Sequence, residues 1–454
     1  MTSRSTRLAK SAANYPRSLL PPCPSNSATA ATASCTAQPT ITAFYHPSRR
    51  RNQSNWAAAM SAASGIFSNG PDPNSPIGVD PFRTVAKEMK FLTKNIRQLL
   101  GSGHPTLDTV AKYYTQSEGK YVRPMLVLLM SRATALMPST AERTQVFGSV
   151  DTPISRSDVL IDENPSMPSP SALGSLANDT AAYRPEDSDI LPSQRRLAEI
   201  TELIHTASLL HDDVIDHSQS RRSAPSANIE FGNKMAVLAG DFLLGRASVA
   251  LARLRDPEVT ELLATVIANL VEGEFMQLKN TARDEKNPVW TEDTVQYYLQ
   301  KTYLKSASLI SKSCRAAALL GRSEPHVVEA AYSYGKNLGL AFQLVDDILD
   351  YTVNEEELGK PAGADLELGL ATAPLLFAWK EESSLGELVG RKFSGEGDVL
   401  RARELVAQSS GLEQTRALAQ EYVDKAIEAI SAFPESDAKN GLIEMCTKVM
   451  KRRK

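Results

Sequence analysis

Two groups of aspartates share the spacing DDxxD. The first is Asp212-Asp213-Val214-Ile215-Asp216, and the second is Asp346-Asp347-Ile348-Leu349-Asp350. On a helix, side chains four positions apart lie on one face with Cβ atoms about 5–6 Å apart, so the first and last aspartates of each group can point the same way. Like charges this close repel unless a cation lies between them, and a few carboxylate oxygens suit Mg²⁺, which also binds phosphate oxygens. The spacing therefore predicts magnesium sites whose further ligand is a diphosphate.

The alternative interpretation is that each group is a solvated, acidic helix end. The residues before each group argue against it, because they are apolar: Leu209 and Leu210 before the first, and Ala341, Phe342, Leu344 and Val345 before the second. Such helices are expected to be buried on most sides, where charge without a counter-ion is expensive. Two buried acidic clusters in one chain favour the metal–diphosphate interpretation.

Helices are the elements that must position these clusters. From Pro81 onward apolar residues recur at helical spacing, as in Phe82, Val85, Met89, Leu92, Ile96 and Leu99. The pattern predicts an all-α fold over residues 76–454. Residues 138–192 are rich in Ser, Pro, Asp and Thr and lack this periodicity, which predicts a long surface insertion.

The N-terminal segment has a different composition. The first 71 residues contain no Asp or Glu but carry Arg4, Arg7, Lys10, Arg17 and Arg49 to Arg51 among many Ser, Thr and Ala. This composition is typical of a mitochondrial transit peptide, and we expect one over residues 1–75 and a mitochondrial protein. An ordinary disordered tail is the alternative.

Overall charge and cysteine content exclude several other classes. Fifty basic and fifty-three acidic residues give a net charge of -3, so nucleic acid is not an expected partner. The four cysteines lack CxxC or CxxH spacing, which argues against a zinc site or a disulfide framework. Contact with a membrane is expected to be peripheral only.

Several ordered motifs beside the aspartates resemble the trans-prenyltransferases that make polyprenyl diphosphates, and closely resemble the long-chain, hexaprenyl-type mitochondrial members. They are Gly119-Lys120-Tyr121-Val122-Arg123-Pro124, the stretch from His205 to Asp216 with Arg221-Arg222 after it, Lys301-Thr302, Gln343 to Asp350, and Gly359-Lys360-Pro361. The resemblance implies a helical bundle around a deep central cavity, with the two clusters facing each other across its mouth. It also implies magnesium-dependent, head-to-tail addition of isopentenyl diphosphate to an allylic diphosphate such as farnesyl or geranylgeranyl diphosphate.

The resemblance assigns roles to individual residues. Isopentenyl diphosphate would be held by Lys120, Arg123, His205 and Arg222, and the allylic diphosphate by Arg221, Lys301, Thr302, Gln343 and Lys360. The metal ligands would be Asp212, Asp216, Asp346 and Asp350, and the catalytic set Asp212, Asp213, Asp216, Lys301, Asp346 and Asp347. Guanidinium groups suit bidentate phosphate contact, whereas each basic residue alone is as easily explained as surface charge.

The expected mechanism starts from the diphosphate as the leaving group. Magnesium on the aspartates, with Lys301 and Lys360, neutralises the departing charge so that an allylic cation forms. The isopentenyl double bond attacks this cation, and the released diphosphate is the expected base for the final deprotonation.

Small residues before the first cluster predict a long product. Ala207 and Ser208 stand where short-chain relatives place aromatic rings, and Ser208 lies one helical turn, about 5.4 Å, below Asp212. The placement of Ala207 is implied by the resemblance alone. We expect a product beyond four isoprene units, which together with a mitochondrial location indicates the ubiquinone side chain.

The sequence departs from the family pattern at three places. Tyr121 and Leu370 replace basic residues found in many relatives, and the insertion over residues 138–192 is unusually long.

The alternatives left open are a shorter-chain geranylgeranyl synthase and a subunit of a heteromeric synthase. A terpene cyclase or head-to-head condensing enzyme is disfavoured, because its second metal motif would differ. The resemblance favours a homodimer, a heteromer is also possible, and loose association with the mitochondrial inner membrane is plausible.

Overall fold

The computed structural model describes residues 80–116, 121–140, 150, 189–221, 224–278, 288–352 and 363–452. All of them lie in one compact unit, Asn52–Lys454; the other unit, Met1–Arg51, lies outside the described residues. The predicted transit peptide and most of the predicted insertion also lie outside them, so both remain predictions.

The described chain is almost entirely helical, which confirms the predicted all-α fold. The helices are α1 Pro81–Thr84, α2 Ala86–Leu99, α3 Pro105–Gln116, α4 Val122–Ala135, α5 Pro192–Ile215, α6 Ala227–Phe231, α7 Asn233–Arg253, α8 Pro257–Leu278, α9 Glu292–Thr302, α10 Ser308–Leu320, α11 Pro325–Thr352, α12 Ala364–Glu367, α13 Ala373–Glu381, α14 Leu385–Gly390, α15 Asp398–Gln408, α16 Gly411–Ala429 and α17 Asp437–Met450. One π-helical turn, Tyr303–Ala307, joins α9 to α10. Two short antiparallel strands, β1 Ser220–Arg221 and β2 Ala224–Pro225, pair Ser220 with Pro225 and Arg221 with Ala224.

Helices α5 and α11 form the centre of the bundle, and each carries one aspartate cluster at its C-terminal end. Helix α5 packs against α4, α7 and α10, and α11 packs against α10 and α16. Proline at the first position of α5 suits a helix start, where its missing N–H leaves no broken bond. The Gln194 side chain fixes this end: its Oε1 accepts from the Leu191 N–H at 2.9 Å, and its Nε2 donates to the Ala317 carbonyl at 2.8 Å.

Two glycines let α11 approach α10 and the π turn closely. A Cβ added at Gly335 would lie 2.7 Å from the Cα of Ser311, and one at Gly339 would lie 2.7 Å from the Cα of Ala307. Neither contact is possible for a larger residue without a backbone shift. The glycines therefore fix the distance between the second aspartate cluster and the π turn.

Helix α7 is 21 residues long with a mean hydropathy of 1.5, and among the described helices it alone has the length and composition of a membrane span. Its buried residues pack against α5, and they include Ala236, Ala239, Gly240, Leu243 and Ala247. The opposite face carries exposed apolar side chains, including Met235 and Leu238, so under half of the apolar stretch is buried.

Candidate active site

The two aspartate clusters open onto one cavity of about 220 Å³. Asp216 of the first cluster and Asp347 of the second line it. The polar side chains between them come from α9, the π turn and α11: Lys301, Thr302, Lys305, Ser306 and Gln343. The structure therefore brings together most of the residues predicted to surround the allylic diphosphate.

Within the first cluster, the three aspartates have different surroundings. Asp213 is fully buried, and one of its oxygens accepts a hydrogen bond from the Tyr114 hydroxyl. Its other oxygen accepts from Nε of Arg221 at 2.7 Å, so this predicted diphosphate ligand is engaged with an aspartate. Asp212 and Asp216 are only half-buried. Asp213 therefore braces the helix end while the outer pair remains available as ligands.

The second cluster repeats this arrangement. Asp347 is 2% exposed; it accepts from the Tyr298 hydroxyl at 2.5 Å and from Nε2 of Gln343 at 2.9 Å. The Gln343 carbonyl oxygen accepts in turn from the Ser306 hydroxyl at 2.8 Å, which fixes the orientation of the amide. In each cluster a buried tyrosine thus holds the middle aspartate.

The outer aspartates of the second cluster reach the surface of the site. Asp346 pairs with Arg452, whose Nη1 lies 3.0 Å from its Oδ1 and whose guanidinium stacks on the Phe342 ring. Asp350 accepts from the backbone N–H of Asp365 at 3.3 Å. The chain after the second cluster therefore folds back and closes one side of the site.

Two functional candidates, Lys305 and Glu274, were missed by the sequence reasoning. Nζ of Lys305 lies 2.6 Å from Oε2 of Glu274, beside the first cluster. A signal for the lysine existed, because the pair Lys301-Thr302 is echoed four positions later by Lys305-Ser306. Glu274 carried no comparable signal, since it is one of four glutamates on α8.

Burial and neighbouring charges shift the pKa values of the acidic and basic side chains in the site. Burial is the main reason that the pKa of Asp212 is raised to about 6; Glu274 and Asp216 raise it further and Lys305 opposes them. Burial likewise raises the pKa of Asp347 to about 6. Burial is also the largest influence on Lys305, but Asp212 and Glu274 outweigh it and raise the pKa of this lysine. Buried and half-buried carboxylates that lie close together fit a divalent cation, and oxygen-only donors suit Mg²⁺.

Within the described residues, no three His, Cys, Asp or Glu side chains converge to form a metal site by themselves. A magnesium ion here would take one or two carboxylates and complete its shell with water and diphosphate oxygens, which is the usual mode for this ion.

The predicted isopentenyl diphosphate residues are only partly within the described chain. Arg123 on α4 and His205 on α5 lie together, with Nη1 of the arginine 2.9 Å from Nε2 of the histidine. Lys120, Arg222 and Lys360 lie outside the described residues, so their placement remains a prediction.

The predicted chain-length residues lie on α5 below the first cluster. Ala207 is fully buried in the hydrophobic core. Ser208 is half-buried, and its hydroxyl donates to the His205 carbonyl at 2.9 Å. Neither residue presents an aromatic ring to the interior.

Comparison with known proteins agrees with the fold. A family model described as polyprenyl synthetase matches residues 172–406. A Neurospora crassa protein named "Probable hexaprenyl pyrophosphate synthase, mitochondrial" is 70% identical over 423 residues, which cover 91% of this chain and 91% of the relative. The Schizosaccharomyces pombe protein named "Decaprenyl-diphosphate synthase subunit 1" is 47% identical over 82% of this chain and 90% of its own length.

A solved structure shares the same fold. The polyprenyl synthase of Caulobacter crescentus, crystallised with calcium and isoprenyl diphosphate, aligns with a TM-score of 0.65 at 31% identity, covering 82% of this chain and 97% of its own. The chain belongs to the polyprenyl synthetase family. The predictions of a prenyltransferase of this family and of a mitochondrial protein are thereby confirmed.

Proposed function

We propose that the chain is a magnesium-dependent trans-polyprenyl diphosphate synthase. It adds isopentenyl diphosphate head to tail to an allylic diphosphate, and its product is hexaprenyl diphosphate for the ubiquinone side chain. The observation that carries the proposal is that both DDxxD clusters, the buried Lys301 and the half-buried Lys305 open onto one cavity. The 70% identical Neurospora relative, named as a hexaprenyl pyrophosphate synthase, supports the product length.

Each group of residues has a part in holding the substrates. Asp212, Asp216, Asp346 and Asp350 would hold Mg²⁺, which when bound supplies positive charge to the diphosphate leaving group. The lysines at 301 and 305 place their ammonium groups at the cavity wall, where they stabilise the charge that develops as the allylic carbon–oxygen bond breaks.

The second substrate is held on the α4–α5 side of the site. Arg123 and His205 bind isopentenyl diphosphate, together with Lys120 and Arg222. Its double bond attacks the allylic cation, and the adduct then loses a proton to the released diphosphate. A substitution away from the metal and diphosphate ligands that abolished deprotonation alone would contradict this last step.

The reaction is tested by incubating the full chain with Mg²⁺, labelled isopentenyl diphosphate and farnesyl diphosphate, and then sizing the products. The expected result is a magnesium-dependent product of six isoprene units. The matched control is Asp212→Asn, which keeps the side-chain size and removes a ligand charge. A wild-type chain that makes no product by itself would support the heteromeric-subunit alternative, and a four-unit product would support a geranylgeranyl synthase.

We also propose that the chain works as a dimer. Helices α7 and α8 pack together and expose a run of large apolar side chains: Met235, Leu238, Val271, Phe275 and Leu278. Exposed apolar patches of this kind mark protein interfaces. A second copy of the chain is the expected partner, and a different subunit is the alternative, as the name of the Schizosaccharomyces relative indicates for that protein. Light scattering of the purified chain, with Phe275→Glu as the disrupting variant, distinguishes a dimer from a monomer.

The remaining proposals concern location. We propose that residues 1–75 are removed on import into the mitochondrion and that the enzyme associates only loosely with the inner membrane. Mass spectrometry of the chain from mitochondria gives the cleavage site, and carbonate extraction that left it in the membrane would contradict peripheral association.

A further inference from the structure

Two tyrosines of α3 hold the chain that follows the first aspartate cluster. The Tyr113 hydroxyl donates to the Pro225 carbonyl at 2.9 Å, and the Tyr114 hydroxyl accepts from the backbone N–H of Ala227 at 2.8 Å. The Tyr113 ring also meets the Phe231 ring edge to face, with the two centroids 5.1 Å apart. Helix α3 is therefore bound both to β2 and to α6.

The Tyr114 hydroxyl also binds the first aspartate cluster, because it donates to Asp213. A backbone N–H can only donate and a carboxylate can only accept, so this hydroxyl donates to the aspartate and accepts from Ala227. Burial and the bond to Asp213 raise the pKa of the Tyr114 phenol, which keeps the proton on its oxygen. One buried hydroxyl thus joins α3, the aspartate cluster and the start of α6.

Arg221 is the residue that these contacts hold in place. Its Nε and Nη2 lie 2.7 and 2.6 Å from Oδ1 of Asp213, the aspartate whose other oxygen accepts from Tyr114. It also lies on β1, where it pairs with Ala224 of β2. The bonds from α3 to Pro225 and to the backbone after it therefore restrain this arginine a second time, through the strand pair.

The held arginine lies beside the predicted metal ligands of the first cluster. Burial raises the pKa of Asp212 to about 6 and also raises that of Asp216, and the charges of Lys305 and Arg221 oppose this effect at both aspartates. The Arg221 side chain is 26% exposed, whereas Asp213 is fully buried. A guanidinium bound to a carboxylate along one edge still has N–H groups to donate to phosphate oxygens.

We propose that Tyr113 and Tyr114 are positioning residues for the allylic diphosphate. They hold Arg221 against the first cluster, Tyr114 through Asp213 and both tyrosines through the β1–β2 pair. The inference rests on the proposed function, since it takes Arg221 as a ligand of that diphosphate. It adds that two tyrosines of a distant helix determine how well the arginine binds its ligand.

The test is a double-mutant cycle on the affinity for inorganic diphosphate, measured by calorimetry with the full chain and Mg²⁺. Tyr114→Phe should weaken binding about tenfold, the lower end of the range for a hydrogen bond to a charged group. In an Arg221→Met background the same substitution should weaken binding less than about twofold, because the residue through which the tyrosine acts is gone. Additive losses of affinity would overturn the inference.

The matched control is Tyr334→Phe on α11. Its hydroxyl is also buried and donates to the Leu442 carbonyl at 2.9 Å. This variant should lose thermal stability but keep the wild-type affinity for diphosphate. Equal losses of affinity in Tyr334→Phe and Tyr114→Phe would show an effect of general stability and refute the positioning role.

Two further outcomes are decisive. A wild-type chain that binds no diphosphate would contradict the proposed function and this inference together, whereas equal affinities of the wild type and Tyr114→Phe would contradict the inference alone. If Tyr114→Phe does not fold, Tyr113→Phe decides, because it removes only the bond to Pro225. It should weaken diphosphate binding about threefold, as for a neutral hydrogen bond, and an unchanged affinity would refute the inference.

Discussion

Replacing Lys305 by methionine is the sharpest test of the electrostatics of the site. Methionine keeps the apolar stem and removes the ammonium, which lies 2.6 Å from Oε2 of Glu274. The lysine side chain is 23% exposed and that of Glu274 only 10%, so water screens the pair weakly. After the substitution, three neighbouring carboxylates would lose the lysine that now stabilises their negative charge: those of Glu274, Asp212 and Asp216.

The size of the effect follows from two consequences of that loss. The pKa of Asp212 is already about 6, and Lys305 is the largest influence that lowers it. The substitution raises this pKa further, so the aspartate is protonated at a higher pH. It also removes a preorganised positive charge from the place where the leaving group becomes more negative. Loss of one such group typically costs about 3–4 kcal/mol, or about 10²- to 10³-fold in kcat.

The assay is kcat with saturating isopentenyl and farnesyl diphosphates and Mg²⁺, measured from pH 6 to pH 9. We expect Lys305→Met to lose about 10²- to 10³-fold at the optimum and to lose activity at a higher pH than the wild type as the solution is acidified. The matched control is Lys312→Met on α10, whose ammonium contacts the Thr265 hydroxyl at 2.8 Å away from both clusters. A Lys305→Met enzyme with an unchanged pH profile and a kcat within about threefold of the wild type would refute the reasoning.

Three further predictions concern the product, the acidic cluster and the packing of the bundle. Ala207→Phe places a ring in the buried turn below Asp212, so the product should shorten toward four isoprene units or fewer. Mass spectrometry of the hydrolysed products measures the product length. An unchanged length would mean that the pocket for the growing chain lies elsewhere. In the metal-free protein the pKa of Asp212 is about 6 when folded and 3.8 when unfolded, so between these values the native state binds more protons. Asp212 should therefore contribute about 1 kcal/mol to a rise in the free energy of unfolding as the pH falls from 7 to 5, and Asp347, whose folded pKa is also about 6, should contribute a similar amount. The gain should be lost as the pH rises through 6, and Mg²⁺ should reduce the dependence. Urea titrations with EDTA or Mg²⁺ measure it, and equal slopes would contradict the assignment. Gly339→Ala would force α11 away from the π turn and should destabilise the protein by about 1–3 kcal/mol. The control Gly245→Ala should not, because an added Cβ there has no atom within 4 Å. Equal unfolding temperatures of the two variants would show that α11 moves freely.

Helical periodicity was enough to predict the fold class. The six apolar residues from Phe82 to Leu99 whose spacing predicted helix are buried in the structure, although a break at Val85 divides the stretch into α1 and α2. The i,i+4 argument also placed the outer aspartates together at the C-terminal ends of α5 and α11. These features depend on neighbours in the sequence, which local patterns describe well.

Long-range contacts could not be read from the same patterns. The middle aspartate of each cluster, unlike the outer two, accepts a hydrogen bond from a buried tyrosine. These tyrosines, Tyr114 and Tyr298, are 99 and 49 residues away in the chain. The ion pair of Glu274 with Lys305 joins α8 to the π turn, and a π turn has no reliable sequence signature. The resemblance identified Lys301-Thr302 but gave no reason to weigh Lys305, because only the folded chain shows which lysine faces which cluster.

The central claim is that the two aspartate clusters bind divalent metal together with a diphosphate. The direct measurement is anomalous scattering from crystals of the full chain grown with Mn²⁺ and inorganic diphosphate. We predict Mn²⁺ peaks beside Asp212 and Asp216 and beside Asp346 and Asp350, with diphosphate oxygens in both coordination shells and Lys301 and Lys305 in contact with the anion. Diphosphate bound away from the clusters, or Mn²⁺ absent from both, would contradict the account.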